Sequence, residues 1–143
     1  MKKRGNPRTD LETLVRELLP RARTSLEEQG SFVPFGGALQ KNGEIKAIAP
    51  EEREDAPLDE RVIEWIDAEL RRGAGAGQFS ATAAVANVAV RRSDGGTRDA
   101  VHVKLDHARG ASLELFFPYR IKRPGIATFG RAFSREGEGR IFD

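Results

Sequence analysis

Ser31–Pro50, SFVPFGGALQKNGEIKAIAP, is the stretch that decides how this chain is read. Asn42-Gly43 separates two apolar-rich runs, and Asn-Gly in that setting is the strongest short-range signal for a tight β-hairpin. Both central residues of such a turn take positive φ, which Asn tolerates and Gly adopts freely. The first run, near Phe32–Leu39, holds Pro34 and the pair Gly36-Gly37. Proline cannot donate to a ladder, and glycines let another backbone or a ligand approach closely. The second run, Glu44–Ala49, sets polar Glu44 and Lys46 against Ile45 and Ile48.

Working outward, a helical pattern lies on each side of the hairpin. Upstream, Thr9 and Glu12 stand in capping-box spacing and start a helix. Leu11, Leu14, Val15, Leu18, Leu19, Ala22 and Leu26 form one stripe of 3.6-residue period, with a kink expected at Pro20 and a stop at Gly30. Downstream, Pro50–Pro57 reads as an acidic loop. Leu58, Val62, Ile66 and Leu70 then recur every four residues in a second helix. Asp59 and Glu60 at its start and Arg71-Arg72 at its end match the signs of the helix dipole, and Gly73 is its expected stop.

The run Phe79–Arg92 is the ambiguous one. Ala81, Ala83, Ala84, Ala86 and Ala89 favour helix. We read a strand, because the turn at 93–96 leads straight into Val101, Val103 and Leu105 alternating with His102, Lys104 and Asp106. A further turn at Ala108-Arg109-Gly110 leads to Leu113, Leu115 and Phe117, so three strands form an antiparallel meander. The expectation is an α+β domain of two layers: a five-stranded antiparallel sheet with two main helices on one face, in the order αββαβββ. Residues 1–9 are expected to be a disordered basic N-terminus, and 10–143 a single domain whose tail becomes irregular from about 118 and lies over the sheet edge.

This element order over residues 10–118 is similar to the profilin-like and roadblock/longin layout, in which two helices pack on a five-stranded sheet. Phe32–Leu39 followed by Asn42-Gly43-Glu44-Ile45 also resembles a hairpin of small uncharacterised bacterial proteins. Neither resemblance brings catalytic residues with it, and a shared fold does not imply a shared function.

Composition bounds the chemistry. A chain of 143 residues buries about 68% of its unfolded surface, enough for one unstapled core. The chain has no cysteine, which excludes disulfides, thiolate nucleophiles and Cys-based metal sites. No apolar run is long enough to span a bilayer, and the basic start lacks the apolar region of a signal peptide, so a cytoplasmic bacterial protein is expected. The net charge of +2 hides an uneven distribution: residues 44–72 carry ten acidic and five basic groups, residues 91–143 eleven basic and seven acidic.

Candidate chemistry is sparse. On a strand His102, Lys104 and Asp106 share a face, which with Gly36-Gly37 makes a candidate ligand pocket, while His107 points to the other face. The acidic loop lacks the alternating Asp/Asn and central Gly of a calcium loop, and Gly73–Gly77 lacks the Lys-Ser/Thr of a phosphate loop. No catalytic residue, metal or cofactor is indicated. Tyr119–Arg123 is basic beside aromatics but matches no RNA-binding consensus, so nucleic acid is not the expected partner. The long strand is apolar on both faces and needs cover on both. The face the helices leave open falls to the C-terminal tail or to a second copy, and the favoured cover is a second copy meeting Ala84, Ala86, Val88 and Phe116. The expected function is therefore non-enzymatic: an adaptor, regulatory or immunity-like domain acting through protein contacts, as a homodimer or with a protein partner not identified by the sequence. The alternatives are a small-molecule-binding domain or enzyme at Gly36, Gly37, His102 and Asp106, and a weak nucleic-acid binder through the basic termini.

Overall fold

A computed structural model describes residues 6–50 and 59–142. Helix α1 (Pro7–Gln29) begins two residues before the expected Thr9, because Asn6 caps it by accepting from the Arg8 N–H at 2.9 Å and Pro7 fits the first turn. Pro7–Thr9, expected in the disordered segment, are therefore helix, and residues 1–5 lie outside the described residues. The helix runs through Pro20 and ends at Gly30, whose φ of 78° and N–H bond to the Leu26 carbonyl close it.

Strands β1 (Phe35–Gln40) and β2 (Ile45–Ile48) form the expected hairpin, but with a different turn. Only Gly43 takes positive φ, at 90°. Asn42 instead uses its side chain, accepting from the Glu44 N–H at 2.9 Å. Gly43 donates to the Gln40 carbonyl and Gln40 to that of Glu44, a three-residue loop with its glycine in the left-handed region. The same pair of bonds recurs at Arg92–Gly96 and His107–Ala111, with Gly95 and Gly110 in the glycine position. One turn design thus builds three of the four hairpins among the described residues, the β5–β6 connection at Pro124-Gly125 being shorter.

Helix α2 (Asp59–Gly75) passes Gly73, and the expected acidic loop at 51–57 lies outside the described residues. The alanine-rich run is strand β3 (Phe79–Arg91), followed by β4 (Thr97–His107) and β5 (Ser112–Arg123). Among the described residues seven strands, against the five expected, form one antiparallel sheet in the order β2-β1-β3-β4-β5-β6, with β7 also on β5. The extra strands come from the tail, which is not irregular from 118. β5 continues through Pro118 to Arg123, and β6 (Ile126–Phe129) and β7 (Phe133–Glu136) fold back along its outer edge. The two are one strand with a break: the register Tyr119↔Phe129 slips by one residue to reach Leu113↔Glu136. The break falls beside Pro118, which has no N–H to offer an outer neighbour, while its carbonyl still accepts from Gly130.

The helices lie on opposite faces, not on one. Leu11, Leu14, Leu18, Ala22 and Leu26 of α1 pack with Leu39, Ala81, Ala83, Val85, Val101, Val103 and Leu105. Val62, Ile66 and Leu70 of α2 pack with Ala38, Ile48 and Ala84, the alternate strand positions. The glycine pair sits between them: a Cβ on Gly36 would lie 3.0 Å from Ile66 of α2, and one on Gly37 2.9 Å from Leu18 of α1. These glycines admit a helix on each face and not a ligand. A register shift opposite Leu39/Gln40 leaves Ser80 without a partner on β1 and turns Phe79 onto the α2 face, where its ring fills the space a Cβ of Gly73 would need.

Candidate functional site

Beyond the Gly/Ala zone, the α2 face of the sheet becomes polar. Asp67 of α2, Thr82 of β3, Lys104 and Asp106 of β4, and Ser112 and Glu114 of β5 line a cleft of about 150 Å³. The register explains the convergence: Thr82 opposes Asp106 and Lys104 opposes Glu114, while Asp106 opposes Ser112. The tail forms the remaining wall through Arg135 and Gly137–Ile141. It is fastened at Ser112, whose carbonyl accepts from the Gly137 N–H at 3.1 Å and whose hydroxyl accepts from that of Gly139 at 3.0 Å. A Cβ on Gly137 would fall 2.2 Å from that hydroxyl, so the approach requires glycine.

The charges in the cleft are unequally satisfied. Glu114 is neutralised, accepting from Arg135 Nε and Nη2 at 3.2 and 3.1 Å and meeting His102 Nε2 at 2.7 Å. Burial pushes the Glu114 carboxyl up, but the bonds from Arg135 and His102 outweigh it and hold it below the usual carboxylate range. Desolvation lowers His102 despite Glu114, so the Glu114–Arg135 pair carries the charge and His102 is the neutral partner. Lys104 Nζ reaches Asp67 Oδ2 at 3.3 Å, which leaves Asp67 Oδ1 buried without a hydrogen-bond partner among the described residues. Thr82 is 1% exposed and its Oγ1 is likewise unpartnered. Asp106 is buried, and desolvation raises its carboxyl above the usual range, against a hydrogen bond from Ser112 and the charge of Lys104. The interior is therefore rich in acceptors, and its inward-facing cations are already engaged.

Of the expected site residues, Asp106 lines the cleft and His102 stands behind it through Glu114. Gly36 and Gly37 lie away from it under the helices. Of the four residues expected at an interface, Ala84 lines the cleft, Ala84, Ala86 and Phe116 are buried within the single chain, and Val88 is half-buried. Phe116 stacks between His102, at 4.5 Å, and Phe133, at 4.9 Å. Sequence reading missed Asp67, Thr82, Ser112 and Arg135. One signal for Thr82 was present, as the only hydroxyl in the apolar run Ala81–Ala86.

Neither histidine is hydrogen-bonded to a serine or threonine among the described residues. His107, 3% exposed, is engaged on both ring nitrogens: Nε2 with Asp10 Oδ2 at 2.8 Å, and Nδ1 accepting from the Arg109 N–H at 3.1 Å. It ties α1 to the sheet. Among the described residues no three His, Asp or Glu side chains are grouped to hold a metal ion, and no helix is long and apolar enough to cross a membrane. Comparison with family models, curated proteins and solved structures gives no match to this chain.

Proposed function

We propose that this chain is a non-enzymatic binding domain that takes a small, donor-rich molecule in the cleft between α2, the sheet and the tail. An amine or guanidine head suits it best. The observation that carries the reading is the pair of buried, unpartnered oxygens, Thr82 Oγ1 and Asp67 Oδ1, lining one cleft beside the Asp106 carboxylate. Buried polar atoms are almost always hydrogen-bonded, and exceptions gather where a ligand completes the set. A cavity of about 150 Å³ holds a molecule of roughly benzene size. A cationic head would meet three acceptors there, while Arg71 at the wall suits an anionic group at the other end. The test is an NMR titration with guanidinium, ethylammonium and acetate at equal ionic strength. Amide shifts at Thr82, Asp106 and Ser112 with the two cations but not acetate support the reading. Shifts equal to those caused by sodium overturn it.

A second reading, contact with a protein, is favoured by a separate apolar groove. On the α1 face, α1 leaves Leu113 and Leu115 of β5 half-buried beside Leu11 and Val15, along a groove of about 910 Å³. A homodimer or a partner helix would cover it. Native mass spectrometry of the untagged chain separates the readings: an assembly of two bare chains supports the groove, and added small mass on one chain supports the cleft.

A further inference from the structure

Among the described residues eight basic side chains of α1, α2, the β3–β4 turn, β4 and the tail pair with acids: Arg8, Arg21, Arg23, Arg72, Arg92, Lys104, Arg135 and Arg140. Others, such as Arg16, Arg61 and Arg71, have no ion-pair partner among the described residues, and at one end of the sheet, beside the Arg92–Asp94 pair, several such cations come together. The β3–β4 turn, the end of β5 and the start of β6 lie together there, since these strands are antiparallel neighbours. Arg91, Arg98, Arg120, Lys122 and Arg123 gather at that end, and none has an ion-pair partner among the described residues.

The arrangement is costly to the fold. The β4–β5 pairing ends at Ala100↔Pro118, and Arg98 and Arg120 each lie two residues beyond it on neighbouring strands, where like charges are destabilising. Arg98 is held there nonetheless. Its guanidinium lies across β5 against Gly130, where a Cβ would fall 2.4 Å from Nη2, and its Nε is buried without a partner. Lys122 is the extra residue of a bulge between Ile121 and Arg123. The α2 face here is uncovered, since α2 packs no further along β3 than Ala84, and Val88 beyond it is half-buried. Next to these cations on the same face stands the ring stack His102–Phe116–Phe133, whose outer ring is 45% exposed. Phe116 and Arg120 are four strand residues apart, about 13 Å.

We propose that this end of the sheet binds single-stranded nucleic acid, with Arg98, Arg120 and Lys122 on phosphates and Phe133 under a base. Unpaired cations beside an exposed, rigidly backed ring are the two components of sequence-tolerant single-strand binding. The residues come from three strands, β4, β5 and β7, so the basic segment Tyr119–Arg123 announces only part of the set.

The test is fluorescence anisotropy with a labelled oligouridylate of about ten nucleotides over a salt series. Three phosphate contacts give a slope of log K against log salt of about −2. The double variant Arg120→Glu/Lys122→Glu, both residues exposed, should weaken binding roughly tenfold or more and flatten the slope. Phe133→Ala should weaken the oligouridylate severalfold and leave heparin, which has no bases, unchanged. Deleting residues 1–5 should leave binding intact, and a thermal melt of each variant checks that it is folded. The proposal is overturned if the deletion alone removes binding, if Phe133→Ala affects heparin and RNA equally, if the double variant binds as well as the parent, or if phosphatidylserine vesicles are bound in preference to RNA.

Discussion

Replacing Thr82 by valine tests the cleft most directly, because stability and binding should move in opposite directions. The Thr82 hydroxyl is buried, 1% exposed, with no hydrogen-bond partner. A hydroxyl buried in that state costs about 1–3 kcal/mol in protein mutational data. Valine has nearly the same shape, so the exchange opens no cavity, and β-branched residues suit a central strand such as β3. The variant should therefore gain about 1–3 kcal/mol. At about 3 °C per kcal/mol for a chain of this size, Tm rises by roughly 3–9 °C. The assay is differential scanning calorimetry at neutral pH, paired with the guanidinium titration. Thr82→Val should melt higher and lose the ligand-dependent shifts. Thr82→Ser, which keeps the hydroxyl and loses the methyl, should melt lower and retain them. A fall in Tm for Thr82→Val would mean that the hydroxyl is satisfied in the free protein, and the argument from unpartnered oxygens would collapse.

Asp106 predicts a pH dependence of definite sign. Its folded value is raised, so its stabilising contribution is complete below the ordinary carboxylate value and is lost as pH rises through the raised one. Asp106→Asn should thus melt above the parent at neutral pH, with the gap closing under acid; a gap independent of pH in thermal scans would refute this. Gly36→Ala and Gly37→Ala should each cost about 1–3 kcal/mol by overpacking. Gly36→Ala should cost more, because its Cβ meets the Ala83 carbonyl at 2.8 Å, whereas Gly37→Ala meets a movable Leu18 methyl; urea denaturation gives the order. Asp10→Ala leaves the buried His107 Nε2 without its partner and should cost about 1–3 kcal/mol, read in the same assay.

Local signals were legible where a single residue type has a single job. The hairpin at Asn42-Gly43, though not its turn type, the stripe from Leu11 to Leu26 and the stop at Gly30 stand in the structure as read. The alanine-rich run was resolved correctly as β3 because the turn that follows demands an antiparallel partner. What was not legible was which face each helix takes, since periodicity reports that a stripe is buried and not what buries it. The tail defeated the reading for a different reason. The exposed strands β6 and β7 carry no alternation of apolar and polar residues, and their pairing is set by β5 and Pro118 at long range. The cleft residues were hidden likewise: Asp67, Thr82 and Glu114 lie on three elements, and only the registers bring them together.

The small residues of β1 and β3 also locate the cleft. An apolar strand with Ala81, Ala83 and Val85 on one face and Ala84 and Ala86 on the other needs cover on both sides, and the sequence alone made a second copy the natural candidate. The chain supplies both covers itself over the inner strands, α1 on one face and α2 on the other. Small side chains let the helices approach the sheet closely, and that closeness leaves no space for a ligand over Gly36, Gly37 or Ala38. The polar cleft opens where the strand residues under the edge of α2 become polar, at Lys104, Asp106 and Glu114. Packing of the core and placement of the cleft are then one constraint: lengthening a side chain at Gly36 would lift α2 from the sheet and carry Asp67 away from Lys104.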